Sequence, residues 1–156
     1  MNDNKKPTTI NDGNKKYNII YADPPWKYNA RNNTKTKFGG GAEGHYPLMK
    51  MEDIKALPVA ELADNNCALL LWCTFPYLEN FFGVGYYAKS NAEVCLLGIK
   101  GKMKPVSNKV SSVVISPREE HSKKPKIVRD NIVTLFGDVP RIELFARQKT
   151  KGWDVW

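Results

Sequence analysis

Nowhere does the chain approach the roughly 20 consecutive apolar residues that a membrane helix needs. The opening residues, Met1-Asn2-Asp3-Asn4-Lys5-Lys6, have no apolar segment behind them, so a secretory signal is not expected. Cysteine is scarce and odd in number: Cys67, Cys73 and Cys95 are all there is. Each lies in or near an apolar, strand-like run, which fits reduced, buried thiols in a cytoplasmic protein better than a disulfide frame. The close paired spacing of a zinc site is missing, and only His45 and His121 could help complete one, so no metal is expected. Gly83-Val84-Gly85 lacks the third glycine and the following helix of a dinucleotide fingerprint. Acidic residues are in deficit: 16 Asp and Glu face 24 Lys and Arg, leaving a net charge of +8. That imbalance favours a polyanionic partner, because lysine and arginine release counterions from a phosphate backbone.

What is present suits a single α/β domain. The 156 residues are 42% apolar and 26% charged, enough for one real core but not comfortably two. Residues 1–16 are polar, with four lysines, and read as a mobile tail; the domain proper spans 17–156. The chain is organised around Tyr17-Asn18-Ile19-Ile20-Tyr21-Ala22-Asp23-Pro24-Pro25-Trp26. Ile19 to Ala22 is a short continuous apolar run, as expected of a strand buried on both faces. Two prolines without N–H groups end it. Asp23 is thus left at the carboxyl end of a buried strand, the edge at which open α/β sheets bind ligands.

Residues 27–45 follow without periodicity and with many glycines, as in a functional loop; Lys27, Arg31, Lys35 and Lys37 could reach phosphates from it. Lys50 to Leu57 has Met51, Ile54 and Leu57 on one helical face, and Pro58 stops that helix or starts another turn. Strands are expected over Ala68–Thr74, Glu93–Ile99, Val113–Ile115 and Arg141–Arg147. A helix is expected over Lys126–Phe136, with Ile127, Ile132, Leu135 and Phe136 inward and Gly137 as its stop. Between the second and third strands the interval is short for a parallel crossover, which takes a dozen or more residues and usually a full helix. Lys100, Lys102, Lys104, Lys109, Arg118, Lys123, Lys124, Lys126 and Arg129 are opposed only by Glu119 and Glu120, which points to a phosphate-tracking surface.

Asp23-Pro24-Pro25-Trp26 is similar to the signature of amino-group N-methyltransferases. Further landmarks follow in order: Tyr46, the Leu71-Trp72 strand, Glu93, Ser122-Lys123-Lys124-Pro125, and Ile142-Glu143-Leu144-Phe145-Ala146-Arg147 with the Gly152-Trp153 tail. Together they resemble the MT-A70 family of adenine-N6 methyltransferases. The resemblance implies a Rossmann-like, circularly permuted fold that depends on S-adenosyl-L-methionine, with a mixed, mostly parallel central sheet flanked by helices. It also implies a helix and a strand near Asn80/Phe81 that this sequence lacks, hence a missing segment at that junction. The late strand ending in Arg147 should lie beside the first. The catalytic residues it implies are Asp23, Pro24, Pro25 and Trp26, with Asp23 and the Pro24 carbonyl orienting the amine and Trp26 stacking on a flipped base. For the cofactor it implies Asp23, Ser122, Lys124, Phe145, Arg147 and Gln148, with Lys124 on the donor's carboxylate. For the substrate it implies Lys27, Tyr46 and Glu93; a strand-entry acid paired with Lys89 is an equal reading of Glu93. The partner expected is nucleic acid, DNA in preference to RNA, with no membrane, and monomer or homodimer open. The same reaction on RNA, or a catalytically inactive nucleic-acid-binding subunit, are the alternatives.

Overall fold

The computed structural model describes residues 14–27, 47–73, 92–117 and 123–156. The Asn80/Phe81 junction, Tyr46, Ser122 and most of the 27–45 loop lie outside these. Five strands form one sheet: β1 (Tyr17–Ala22), β2 (Ala63–Cys73), β3 (Val94–Lys100), β4 (Arg141–Leu144) and β5 (Asp154–Val155). Their order across the sheet is β3-β2-β1-β4-β5. β1 runs parallel to β2 and β4, and β4 runs parallel to β5; only β3 is antiparallel to its neighbour, β2. The sheet is therefore mixed and mostly parallel. With its helices it forms an α/β, Rossmann-like arrangement.

β1 occupies the centre because its side chains suit burial on both faces. Ile20 and Ala22 join one apolar cluster with Leu62, Cys67, Ile142 and Leu144. Ile19 and Tyr21 join the opposite one with Ala68, Trp72, Ile132, Phe136 and Trp153. The first face is closed by the short helix α2 (Val59–Leu62), which follows α1 (Met51–Lys55). Pro58 both ends the first helical segment and caps the second. The other face is closed by α3 (Lys126–Phe136). Gly137, at φ 85°, takes the left-handed step after α3 that a Cβ would penalise.

Four expectations need correction. Ile127 is not inward; it is 48% exposed. The buried face of α3 runs through Val128, Ile132, Leu135 and Phe136, at spacings of four, three and one, and Ile127 lies about 100° round from Val128. Val113–Ile115 is no strand: these residues pair with none of the five and are exposed, and the Val113 amide donates to Ser111 Oγ, a local turn bond that competes with a ladder. The closing strand stops at Leu144, because Phe145 has φ 62°. Finally, β2 begins at Ala63 rather than Ala68, with a register shift opposite Tyr17 and Ile19 that accommodates Asp64, Asn65 and Asn66. Since β2 and β3 are antiparallel neighbours, their connection also needs no crossover.

Candidate active site

β1 delivers Asp23 to the carboxyl edge of the sheet at the point where the chain's path reverses. After β1 it proceeds to β2 on one side, and later returns to β4 on the other. Such a switch point leaves a crevice beyond the strand ends. Ala22 pairs with Leu144, so Asp23 stands beside Phe145, and the late strand does lie next to the first.

The turn after Asp23 is tightly braced. The Trp26 amide donates to the Pro24 carbonyl (2.8 Å), the Met49 amide to the Pro25 carbonyl (2.8 Å), and the Lys27 amide to the Met49 carbonyl (3.1 Å). Trp26 is 8% exposed and forms a parallel bridge with Met49. Its indole N–H donates to the Trp72 carbonyl at 3.0 Å. A carbonyl has two lone pairs, so the one Pro24 gives to Trp26 leaves a second acceptor position.

Lys124, just ahead of α3, reaches into the same place. Its ammonium lies 3.4 Å from Asp23 Oδ1 and 2.8 Å from Glu93 Oε2, and its side chain is only 9% exposed. It also sits 4.8 Å from the centroid of the Trp72 ring. Burial pushes the Asp23 carboxyl above the usual carboxylate range. The Lys124 charge and hydrogen bond oppose that rise, Glu93 adds to it, and the Arg147 guanidinium is near enough to pull it down. The carboxylate that ends β1 is thus partly desolvated and cation-paired, the mark of a functional-site candidate.

On the opposite side of the crevice β4 ends in backbone strain. Phe145 holds a left-handed conformation, unusual for a bulky residue. It is fixed there by Trp156: the Phe145 amide donates to the Trp156 carbonyl at 2.6 Å, and the two rings meet edge-to-face at 5.3 Å. Arg147 and Gln148 follow, both exposed.

Of the residues singled out in the sequence, the fold brings together Asp23, Glu93, Lys124, Phe145 and Arg147. Pro24, Pro25 and Trp26 form the braced turn, and Lys27 lies exposed just beyond it. Arg129 does not belong to a phosphate-tracking surface. It forms a two-pronged pair with Glu143, with Nε 2.7 Å from Oε2, behind the sheet edge. Lys126 is paired with Asp130 along α3. Trp72 and Tyr21 were missed as part of the site. An aromatic at the carboxyl end of each neighbouring strand was the available signal.

The sheet order and this carboxyl-edge crevice fit an α/β, Rossmann-like methyltransferase. The MT-A70 family model matches residues 17–84 and 80–156, and the chain belongs to that family of methyltransferases. The chain is also 30% identical over 179 residues to the Type II methyltransferase M.MunI of Mycoplasma sp, covering 91% of this chain and 77% of that protein. Those 179 aligned positions outnumber the 156 residues of this chain, so M.MunI has residues inside the matched region with no counterpart here. The two stretches matched by the family model meet at residues 80–84.

Proposed function

We propose that this chain transfers a methyl group from S-adenosyl-L-methionine to the N6 amino group of adenine in DNA. The observation that carries the reading is the partly desolvated Asp23 carboxylate, held by Lys124 at the carboxyl end of the central strand. The N6 lone pair of adenine is delocalised into the ring and is a poor nucleophile. A carboxylate that accepts a hydrogen bond from one amino N–H, with the Pro24 carbonyl accepting one from the other, localises that lone pair without prior deprotonation. As the N–CH3 bond forms, the S–CH3 bond breaks, the donor leaves as a neutral thioether, and the surplus N6 proton passes to Asp23 and on to solvent. The work is then positioning and electrostatics. Trp26 offers only its ring to the base, since its N–H is already bonded to Trp72.

The residues present fit the donor. Bound there, it would supply a methyl on a positively charged sulfur. Asp23 and Glu93 set two carboxylates against one buried ammonium, which suits a cationic ligand. In this reading the Lys124 ammonium, which donates to Glu93 at 2.8 Å and lies 3.4 Å from Asp23, would also meet the donor's carboxylate. Phe145 and Arg147 would border the adenosine, with Gln148 beside them. Ser122 and Tyr46 keep the roles that the resemblance gives them, on the donor and in the adenine pocket. Lys27 would touch the DNA backbone. We read the strand order as circularly permuted, with the catalytic turn early and the cofactor strand late, in a single domain over 17–156 with a segment missing from this sequence at Asn80/Phe81. The test is mass spectrometry of nucleosides from matched DNA and RNA incubated with the protein and methyl-labelled donor. Label in N6-methyladenine from DNA is expected. Label confined to RNA would move the substrate, and label in neither would overturn the reaction.

A further inference from the structure

Trp72 touches two groups on which the proposed reaction depends. It lies next to the end of β2 and is 8% exposed. Its carbonyl accepts the Trp26 indole N–H at 3.0 Å. Its ring faces the Lys124 ammonium at 4.8 Å. Its own indole N–H donates to the Tyr21 hydroxyl at 2.7 Å, and the Tyr21 ring in turn lies 5.5 Å from the Arg129 guanidinium. Arg129 is clamped by Glu143. The indole is therefore locked from behind, through a chain of contacts running back to α3 and β4, and shows a fixed face to Lys124.

A cation over tryptophan gains most when little water competes for it. That condition holds, since Lys124 is nearly buried. Nothing in the proposed chemistry requires Trp72 to touch substrate or donor. We propose that Trp72 is a positioning residue: its electron-rich face seats the Lys124 ammonium within reach of Asp23 and Glu93, while its carbonyl fixes Trp26 in the signature turn. The inference rests on the reading of Asp23 and Lys124 given above. It deepens that reading by placing the control of both groups on one residue at the end of β2.

A purely space-filling tryptophan would be indifferent to the electron density of its ring; a seat for a cation would not. The test uses the full chain carrying progressively fluorinated tryptophans at position 72 only. These preserve the size of the indole and its N–H, so the fold is kept while the ring face loses its attraction for a cation. The titration of Asp23 is followed by carbon NMR of labelled aspartate and assigned with Asp23→Asn. The charged and titratable groups around Asp23 are Lys124 ahead of α3, Glu93 and Cys95 at β3, Arg129 on α3 and Arg147 beyond β4; none of them is altered in the series. The Asp23 midpoint is expected to climb stepwise with fluorination as Lys124 loosens. The Kd for the donor, by calorimetry, is expected to weaken by about tenfold at the end of the series. A midpoint that stays flat across the series overturns the inference. Methyl transfer by the unmodified chain, measured alongside, separates the two claims. A climbing midpoint in a protein that transfers no methyl keeps the seat and sinks the reaction, and a flat midpoint in an active enzyme does the reverse.

Discussion

Burial penalises the ionised form of Asp23, and the ionised form is the one that accepts hydrogen bonds from an amine. Its carboxyl titrates higher in the folded chain than in the unfolded one. The stability it contributes is therefore present below the unfolded value and lost as pH rises through the folded one. At neutral pH the ionised carboxylate weakens the fold. Asp23→Asn should leave the melting temperature unchanged or raise it, with Lys124 still paired to Glu93. Methyl transfer should fall by about 10²- to 10³-fold, the usual effect of losing one preorganised polar partner of a transition state. Thermal melts and turnover on the same preparation check both halves; turnover near that of the unaltered chain would refute the role of Asp23. The same shift places the acid limb of the kcat/KM profile above the ordinary aspartate value of about 3.9. Trp26 makes a separable prediction. Trp26→Ala should raise the KM for oligonucleotide by about 10- to 100-fold, equivalent to about 1–3 kcal/mol of lost stacking. Trp26→Phe keeps a ring and should recover most of that loss.

Arg129 and Glu143 hold α3 to β4. Glu143 is the single acid of β4 and is 5% exposed, between Ile142 and Leu144 on the opposite face. Removing one partner of such a pair leaves a buried charge, so Arg129→Met should cost about 3–5 kcal/mol. Combining it with Glu143→Leu should cost less than either change alone, which chemical denaturation of the four proteins of the cycle would show. An acid inside Ile142-Glu143-Leu144 was a readable sign of this pair, whereas Arg129 by itself looked like one more surface cation. Other elements were legible for similar local reasons. The apolar run and double proline set the end of β1, and the helical period with Gly137 set both ends of α3. What escaped was settled by distant partners. Asp64-Asn65-Asn66 is a poor strand by propensity, yet it is held in β2 by the Asn18 side chain on the Asn66 carbonyl (2.9 Å) and by the Asn66 side chain on the Lys102 amide (2.7 Å). The two-residue β5 exists because β4 offers it an edge. Val113-Val114-Ile115 had the composition of a strand and lacked such an edge. At the site, the turn and its acid were readable from Asp23-Pro24-Pro25-Trp26. The approach of Lys124, 101 positions later, depended on the sheet order.

Across the molecule, among the described residues, some of the positive charge is held in ion pairs and some is exposed. Lys124 and Arg129 are spent inside, on Asp23, Glu93 and Glu143, and Lys126 is bound to Asp130. Lys102, Lys104 and Lys109, in the segment after β3, point to solvent. The turn that launches this segment is strictly shaped: Gly101 has φ 68°, and a Cβ there would lie 2.1 Å from the Asn65 carbonyl oxygen. The three lysines follow that turn and are exposed. A nucleic acid reading a basic surface should sense them, and should not sense Lys124 in the same way. Each phosphate neutralised on duplex DNA contributes about 0.9 to the slope of log K against log salt. The double change Lys102→Gln with Lys104→Gln should thus lower that slope by about 1.8 and weaken binding to all sequences alike. Lys124→Gln should leave the slope nearly unchanged and act instead on the donor and on Asp23. Fluorescence anisotropy of labelled duplex over a salt series measures both. Equal slopes for the unaltered chain and the double variant would remove this segment from the nucleic-acid surface, and a shallower slope for Lys124→Gln would show that its ammonium reaches phosphate rather than the donor.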